Sequence, residues 1–149
     1  MYLLGQDILS LECQLAEVRS SLEKLVTSLS LVASPTQVSR LRDYLANCEM
    51  VTLLLLALAR RMARLEVQEG EAGPRLVRAR ERMEDARQLA VLVERRRQDV
   101  LASVERGLGQ QERKECEGLV ARRAWLLLQL REGRDRRDLL LGRPEGQNI

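Results

Sequence analysis

Residues 4–32, LGQDILSLECQLAEVRSSLEKLVTSLSLV, carry the clearest structural pattern in the chain. Apolar side chains recur there at alternating steps of four and three residues: Leu4, Ile8, Leu11, Leu15, Val18, Leu22, Leu25, Leu29 and Val32. This 3.5-residue repeat places one apolar seam along a helix and is typical of a coiled coil. Charged residues such as Asp7, Glu17 and Lys24 fall off the seam. The pattern predicts one long helix that packs against another helix.

Proline and glycine divide the rest of the chain. The breaks are Ser34-Pro35, Gly70 to Pro74, Gly107-Leu108-Gly109 and Gly142 to Pro144. Proline is accepted in the first turn of a helix and disrupts its interior, and Ser34 suits the N-cap position before Pro35. We therefore predict one helical domain over residues 1–141, with helices at 3–33, 36–68, 74–106 and 110–141, and a disordered tail at 142–149. Whether the Ser34-Pro35 and Gly107–Gly109 breaks reverse the chain or only kink it stays open.

The later segments repeat the apolar spacing. Segment two carries Val38, Leu41, Leu45, Cys48, Thr52, Leu55, Ala59 and Met62, with a second stripe of Leu54, Leu58 and Leu65 beside it. Segment three carries Leu76, Ala79, Met83, Ala86, Ala90, Val93, Arg97, Val100 and Val104. Segment four is less regular, with Leu119, Leu126 and Leu130 on one stripe. A helix with two apolar stripes needs two packing partners, so segment two is expected to contact more than one helix.

Composition agrees with long helices. Of the 149 residues, 45% are hydrophobic and 32% are charged, but only 2% are aromatic, which suits narrow seams between helices better than a compact core. The predicted fold class is all-α, an elongated antiparallel segmented coiled coil of three to four long helices. We expect it to be dimeric or to pair with a partner coiled coil.

The residues that usually carry chemistry are scarce. The chain has no His, and Cys13, Cys48 and Cys116 are far apart, which argues against a zinc site or a disulfide framework and favours a reducing intracellular setting. No phosphate-binding glycine loop occurs, and the longest apolar run, Leu53 to Ala59, is too short to cross a bilayer. We expect a protein that is not an enzyme and that binds no cofactor and no metal.

Two features remain as candidate partner sites. The first is the patch from Val51 to Leu65, in which Leu55, Leu56 and Leu58 are the predicted apolar anchors. Its predicted charged neighbours are Arg60, Arg61 and Arg64, since Arg is enriched at interface hot spots. The alternative interpretation is that this helix is buried on two sides within its own bundle.

The second feature is the basic surface around Arg95, Arg96 and Arg97, with a further basic run from Arg134 to Arg137. Nearby acids almost balance these charges, and the net charge of the whole chain is only +3. Trp125 is the only aromatic interleaved with them, which argues against the reading of single-stranded nucleic acid. A solvated, ion-paired face is the simplest interpretation, and a protein partner with an acidic helix is the next.

Several sequence elements together resemble a known family. Residues 55–58, LLAL, followed by residues 61–66, RMARLE, are similar to a Leu-Leu-x-Leu run and an Arg-Leu-Ala-Arg-Val-Glu element in the C-terminal Apx/Shroom domain of the Shroom family of actin-associated proteins. The order of the later elements, DARQL at 85–89, Arg95-Arg96 and the apolar segment at Val100, also resembles that family. The chain is more Arg-rich than the family pattern and lacks most of its aromatics, so it resembles a divergent member.

The resemblance implies a segmented antiparallel coiled coil, often dimeric, that binds the coiled coil of Rho-associated kinase. It implies recruitment of that kinase to the actin cytoskeleton at apical junctions in the cytoplasm, where myosin II is activated and the cell apex contracts. Leu55, Leu56 and Leu58 match the run that the family needs for kinase binding, with Arg61 and Arg64 as supporting neighbours.

Other functions stay open at this point. A self-associating coiled-coil spacer without kinase binding would show the same heptads. A helix bundle that binds a membrane surface or nucleic acid would show binding that weakens steeply with salt.

Overall fold

The fold is a bundle of four long helices. The computed structural model describes the backbone of residues 2–70 and 73–142, and side chains from residue 5 onward. The helices are α1 (Tyr2–Ser30), α2 (Pro35–Glu69), α3 (Pro74–Leu108) and α4 (Gln110–Leu140). At 1.5 Å per residue they are about 44–53 Å long. The predicted all-helical class is confirmed, and the described residues contain no strand.

Ser34 caps the start of α2. Its hydroxyl accepts a hydrogen bond from the Gln37 backbone N–H at 3.3 Å, and the Gln37 side chain accepts one from the Ser34 N–H at 3.2 Å. This reciprocal capping box satisfies two helix-end donors, so α2 begins at Pro35 as its sequence indicates. The preceding helix ends at Ser30 rather than at residue 33, and Val32, which the heptad assigned to the seam, is 60% exposed in the turn.

The break at Ser34-Pro35 is a full reversal. Arg19 pairs with Glu49 at 2.9 Å, and Glu23 pairs with Arg42 at 3.3 Å. From Arg19 to Glu23 on α1, the partner on α2 changes from Glu49 to the earlier residue Arg42. The two helices therefore run antiparallel. The same pattern relates α1 to α4, where the Arg122 guanidinium donates to the Gln14 side chain and Arg134 pairs with Glu12.

The break at Gly107–Gly109 is also a reversal. The Arg113 guanidinium in the first turn of α4 donates to the Glu105 carboxylate at 2.7 Å and to the Gln98 side chain at 2.9 Å, both on α3. Further on, Arg97 of α3 pairs with Glu117 of α4 at 3.6 Å. The hydrogen bonds that Arg113 donates to the Glu105 and Glu117 carboxylates raise its pKa. The α3–α4 turn is therefore held by hydrogen bonds and ion pairs between the two helices.

One continuous core joins all four helices. Its fully buried side chains include Leu29 of α1, Leu41 of α2, Leu101 of α3 and Leu126 of α4. Burying each such leucine contributes about 1.5–3 kcal/mol relative to leaving it in water. Towards the other end of the hairpin, α2 and α3 form smaller clusters with each other, centred on Leu58 and on Leu65.

The seams of α1 and α3 face inward as their spacing indicates. Every residue of the α3 seam, including Arg97, is buried or half-buried. Helix α4 differs, because Arg123 and Asp138 occupy core positions alongside Leu126 and Leu130. Those two charges explain why its apolar pattern looks irregular in the sequence.

Gly109 makes the α3–α4 turn possible. Its φ of 119° and ψ of 172° lie in a region that only glycine occupies without strain. We expect Gly109→Ala to lower the free energy of unfolding by about 1–3 kcal/mol, measured by urea denaturation. Gly118→Ala is the matched control, because Gly118 is helical and open to solvent, and it should gain about 0.5–1 kcal/mol. Equal shifts in both variants would contradict this account of the turn.

Within the described part of the chain, no helix is both long and apolar enough to span a bilayer. The predicted tail at 142–149 lies outside the described residues apart from Gly142, as do Glu71 and Ala72 of the α2–α3 connection.

Candidate functional site

The three leucines predicted as partner anchors lie mainly inside the molecule. Leu58 is 7% exposed and packs against Met83 and Ala86 of α3. Leu55 and Leu56 are half-buried against the main core. In a single copy of this chain, these leucines therefore hold α2 to its own neighbours, as the buried interpretation of the patch described.

The predicted arginines have different environments. Arg60 turns towards α4, where it lies 3.2 Å from the Asp135 carboxylate and 3.9 Å from that of the buried Asp138. It therefore joins α2 to α4. The others stay nearer the solvent: Arg61, Arg95 and Arg96 are exposed and Arg64 is half-buried.

An apolar groove runs between α2 and α3 on the outside of the bundle. We call it the outer groove; its lining is Asn47, Met50, Val51, Leu54, Leu89, Leu92, Val93 and Arg96. Its volume is about 310 Å³. Met50 is 66% exposed, Leu54 41%, Leu89 44% and Leu92 52%. Four large apolar side chains on one groove form the kind of patch that usually marks an interaction site.

The walls of the outer groove follow coiled-coil spacing. On α3 the exposed residues at alternating three and four steps are Arg75, Arg78, Arg82, Asp85, Leu89, Leu92 and Arg96. On α2 the corresponding stripe is Asn47, Met50, Leu54, Ala57, Arg61 and Arg64. Residues at this spacing share one helix face, so the two stripes run side by side past the outer groove. A further helix with a 3.5-residue repeat fits between such stripes.

The far end of this face is basic. Arg61, Arg75, Arg78 and Arg82 surround a smaller depression of about 190 Å³, and we call them the arginine cluster. Arg75 pairs with Glu69, and the Arg78 guanidinium donates to the Pro74 carbonyl at 3.4 Å. Among the described residues, Arg61, Arg78 and Arg82 form no ion pair within 4.0 Å. Their charges are thus available to an outside partner.

A second cavity, of about 320 Å³, opens between α2, α3 and α4, and Tyr44 and Cys48 line it. Burial raises the pKa of Tyr44 and that of Cys48, and it raises the pKa of Cys116 to about 11. At neutral pH these thiols are protonated, which makes them weak nucleophiles and weak metal ligands. The described residues also contain no group of three or more His, Cys, Asp or Glu able to hold a metal ion.

No protein-family model and no curated protein sequence matches this chain. The resemblance to the Apx/Shroom domain therefore rests on the sequence elements quoted above.

The sequence patterns did not bring the lining of the outer groove together. Val51, Leu54, Val93 and Arg96 were named in separate patterns and Leu89 only within DARQL, while Met50 and Leu92 were not singled out. The signal that could have found them is the second 3–4 repeat on α3, from Arg75 to Arg96, which runs beside the buried seam. Arginines at four of its seven positions made it resemble an ordinary solvated face.

Proposed function

We propose that this chain is a non-enzymatic adaptor domain that binds the coiled-coil region of Rho-associated kinase. In this role it recruits the kinase to the actin cytoskeleton, where activated myosin II produces contraction and a change of cell shape. The site of action is the cytoplasm, at cortical actin or apical junctions.

The exposed apolar outer groove is the observation that carries the proposal. Met50, Leu54, Leu89 and Leu92 of its lining stay at least 41% exposed in a single copy, on one groove between two helices. Helical partners commonly bind by laying an apolar face into such a groove. The heptad spacing of both walls specifically favours a helix from a coiled coil.

The identity of the partner comes from the family resemblance. The matching elements, 55–58 and 61–66, lie on α2. Leu54, which directly precedes the first element, and Arg61, which begins the second, belong to the α2 wall. The docking surface proposed here is therefore shifted from Leu55, Leu56 and Leu58 to their exposed neighbours.

The alternative function, a self-associating spacer, draws on the same observation. A second copy could cover Met50, Leu54, Leu89 and Leu92 as well as a kinase helix could. Kinase binding gives a complex of two different proteins, whereas self-association gives a complex of identical chains. A mass measurement distinguishes these two complexes.

The test is light scattering during size-exclusion chromatography, on the chain alone and mixed with a coiled-coil fragment of Rho-associated kinase. We expect a mixed peak for the wild type. Leu54→Asp with Leu92→Asp should weaken binding at least about 100-fold, because two carboxylates would have to leave water in the complex. Both sites are at least 41% exposed, so the helices should stay folded by circular dichroism.

Leu9→Asp is the matched control, since Leu9 is 62% exposed on α1 and does not line the outer groove. It should bind like the wild type. A folded wild type with no mixed peak would reject kinase binding. If that same protein is a dimer that the double variant dissociates, the spacer function is correct.

A further inference from the structure

We infer that the outer groove and the arginine cluster form one composite docking seam, which selects a partner helix that is apolar along one part and acidic along another. This inference rests on the proposed function, because it specifies the chemistry of the helix that the same face accepts. Its occupant is a single amphipathic helix of a partner protein.

The two exposed stripes extend along the whole length of the seam. On α3 the stripe runs from Arg75 to Arg96 without leaving one helix face, a span of about 30 Å. On α2 the stripe runs alongside it in the opposite direction, so Met50 and Leu54 lie opposite Leu92 and Leu89. The same geometry brings Arg61 opposite Arg78 and Arg82, as the shared depression shows. A partner helix of about three heptads covers the whole length.

The two stripes carry an excess of positive charge. The two stripes hold six arginines and one carboxylate: Arg61, Arg64, Arg75, Arg78, Arg82 and Arg96, with Asp85 between the apolar and basic parts. Arg75 is matched by Glu69. Arg61, Arg78 and Arg82 form no ion pair among the described residues, in contrast to the Arg19–Glu49 and Arg97–Glu94 pairs. Guanidinium groups bind carboxylates through paired donors, so the basic part favours Asp or Glu on the partner.

The composite seam discriminates between partner helices of different composition. An entirely apolar helix would desolvate Arg61, Arg78 and Arg82 without giving them acceptors, which costs binding energy. A helix that is acidic throughout would place carboxylates against Leu54 and Leu92. Only a helix with segregated apolar and acidic segments satisfies both parts. Selection against the wrong helices is as important here as attraction to the right one.

The experiment uses synthetic helical peptides of about three heptads, with Leu at the seam positions over the outer groove. Over the arginine cluster one peptide carries Glu, a second Gln and a third Lys. Each is made in both segment orders, because the groove lies between antiparallel helices. Binding to the full chain is measured by fluorescence anisotropy. We expect the Glu peptide to bind at least about tenfold more tightly than the Gln peptide, and salt to narrow the difference.

Reversing two charges of the arginine cluster tests the seam more directly. Arg78→Glu with Arg82→Glu should weaken binding of the Glu peptide about 10- to 100-fold and strengthen that of the Lys peptide. Arg87→Glu is the matched control, since Arg87 is exposed on another face of α3 and pairs with Glu84, and it should change neither.

Two results would overturn the composite seam. Equal binding of the Glu and Gln peptides would do so while leaving an apolar docking groove, and hence the proposed function, intact. If none of the peptides bound, the seam would also be rejected. If a kinase fragment still bound the wild type in that case, the proposed function would act through another surface. A chain whose groove is already covered by a second copy would give that same failure together with a dimer mass.

Discussion

Leu58→Asp is expected to lower the free energy of unfolding by about 3–5 kcal/mol, which is a large fraction of the roughly 5–15 kcal/mol that stabilises a typical domain. Leu58 is 7% exposed and forms a small cluster with Met83 and Ala86. An aspartate there would lose the apolar contacts and would bury a carboxylate against an apolar wall. Urea denaturation followed by circular dichroism measures the change.

Leu54→Asp is the natural comparison, because Leu54 lies four residues earlier on the same helix and is 41% exposed. It should change the stability by less than about 1 kcal/mol. If Leu58→Asp were as stable as Leu54→Asp, the α2/α3 hairpin would have to open easily and Leu58 would be accessible to a partner. That outcome would return the docking site to the leucines that the sequence alone suggested.

The contrast also affects how loss of partner binding is interpreted. Loss of binding in a variant at Leu58 would combine an effect on folding with any effect on the interface, so it would not identify the docking surface. Variants at Leu54 and Leu92 separate the two effects, since both residues are exposed before any partner arrives. Binding experiments on this domain therefore depend on the surface leucines rather than on the buried one.

Much of the fold could be predicted from the sequence because local rules dominate it. The heptads of α1 and α3 bury one face of each helix, and Ser34 with Pro35 specifies the start of α2 through a capping box. Reversals could not be distinguished from kinks on this basis, because a glycine or proline break permits both. The long-range pairs Arg19–Glu49 and Arg97–Glu117 are what identify the reversals.

The candidate site was harder to predict, because helix α2 carries two apolar stripes and periodicity does not say which neighbours cover which one. In the folded chain, α3 covers Leu58 and Leu65, while Leu54 stays on the rim. That choice depends on how the helices are rotated against each other, which is a property of the whole bundle. Leu89 and Leu92 lie outside the buried seam of α3, so the sequence could place them on another face of that helix but could not pair them with Met50 and Leu54.

Helix α4 posed a different difficulty, because a charged residue occupies a seam position. Arg123 is 6% exposed and its guanidinium donates a hydrogen bond to the Leu45 carbonyl at 2.6 Å. The nearest carboxylate, that of Glu49, is 3.9 Å away and already pairs with Arg19. Burial lowers the pKa of Arg123, which indicates that its surroundings do not fully replace the water it has lost. The long apolar stem of the side chain, by contrast, packs in the core.

Because the guanidinium of Arg123 is poorly compensated and its apolar stem is well packed, we predict that Arg123 stabilises the bundle more by its volume than by its charge. Arg123→Ala should lower the free energy of unfolding by about 2–4 kcal/mol, because it leaves a cavity among α1, α2 and α4. Arg123→Met keeps most of the stem and removes the poorly compensated charge, so its loss should be at most about 1.5 kcal/mol. Urea denaturation of both variants provides the comparison.

Arg122→Ala is the control for removing an arginine at the next position. Arg122 is exposed, lies 5.2 Å from the Trp125 ring centroid and donates to the Gln14 side chain, and its loss should cost less than about 1 kcal/mol. If Arg123→Met were as damaging as Arg123→Ala, the hydrogen bond to Leu45 and the charge near Glu49 would be the stabilising elements, and α4 would owe its register to them. If Met is tolerated, an arginine in the seam is kept for a reason other than stability. Because a charged seam residue disfavours shifted pairings, selection of one register between α4 and α2 is then the role we expect.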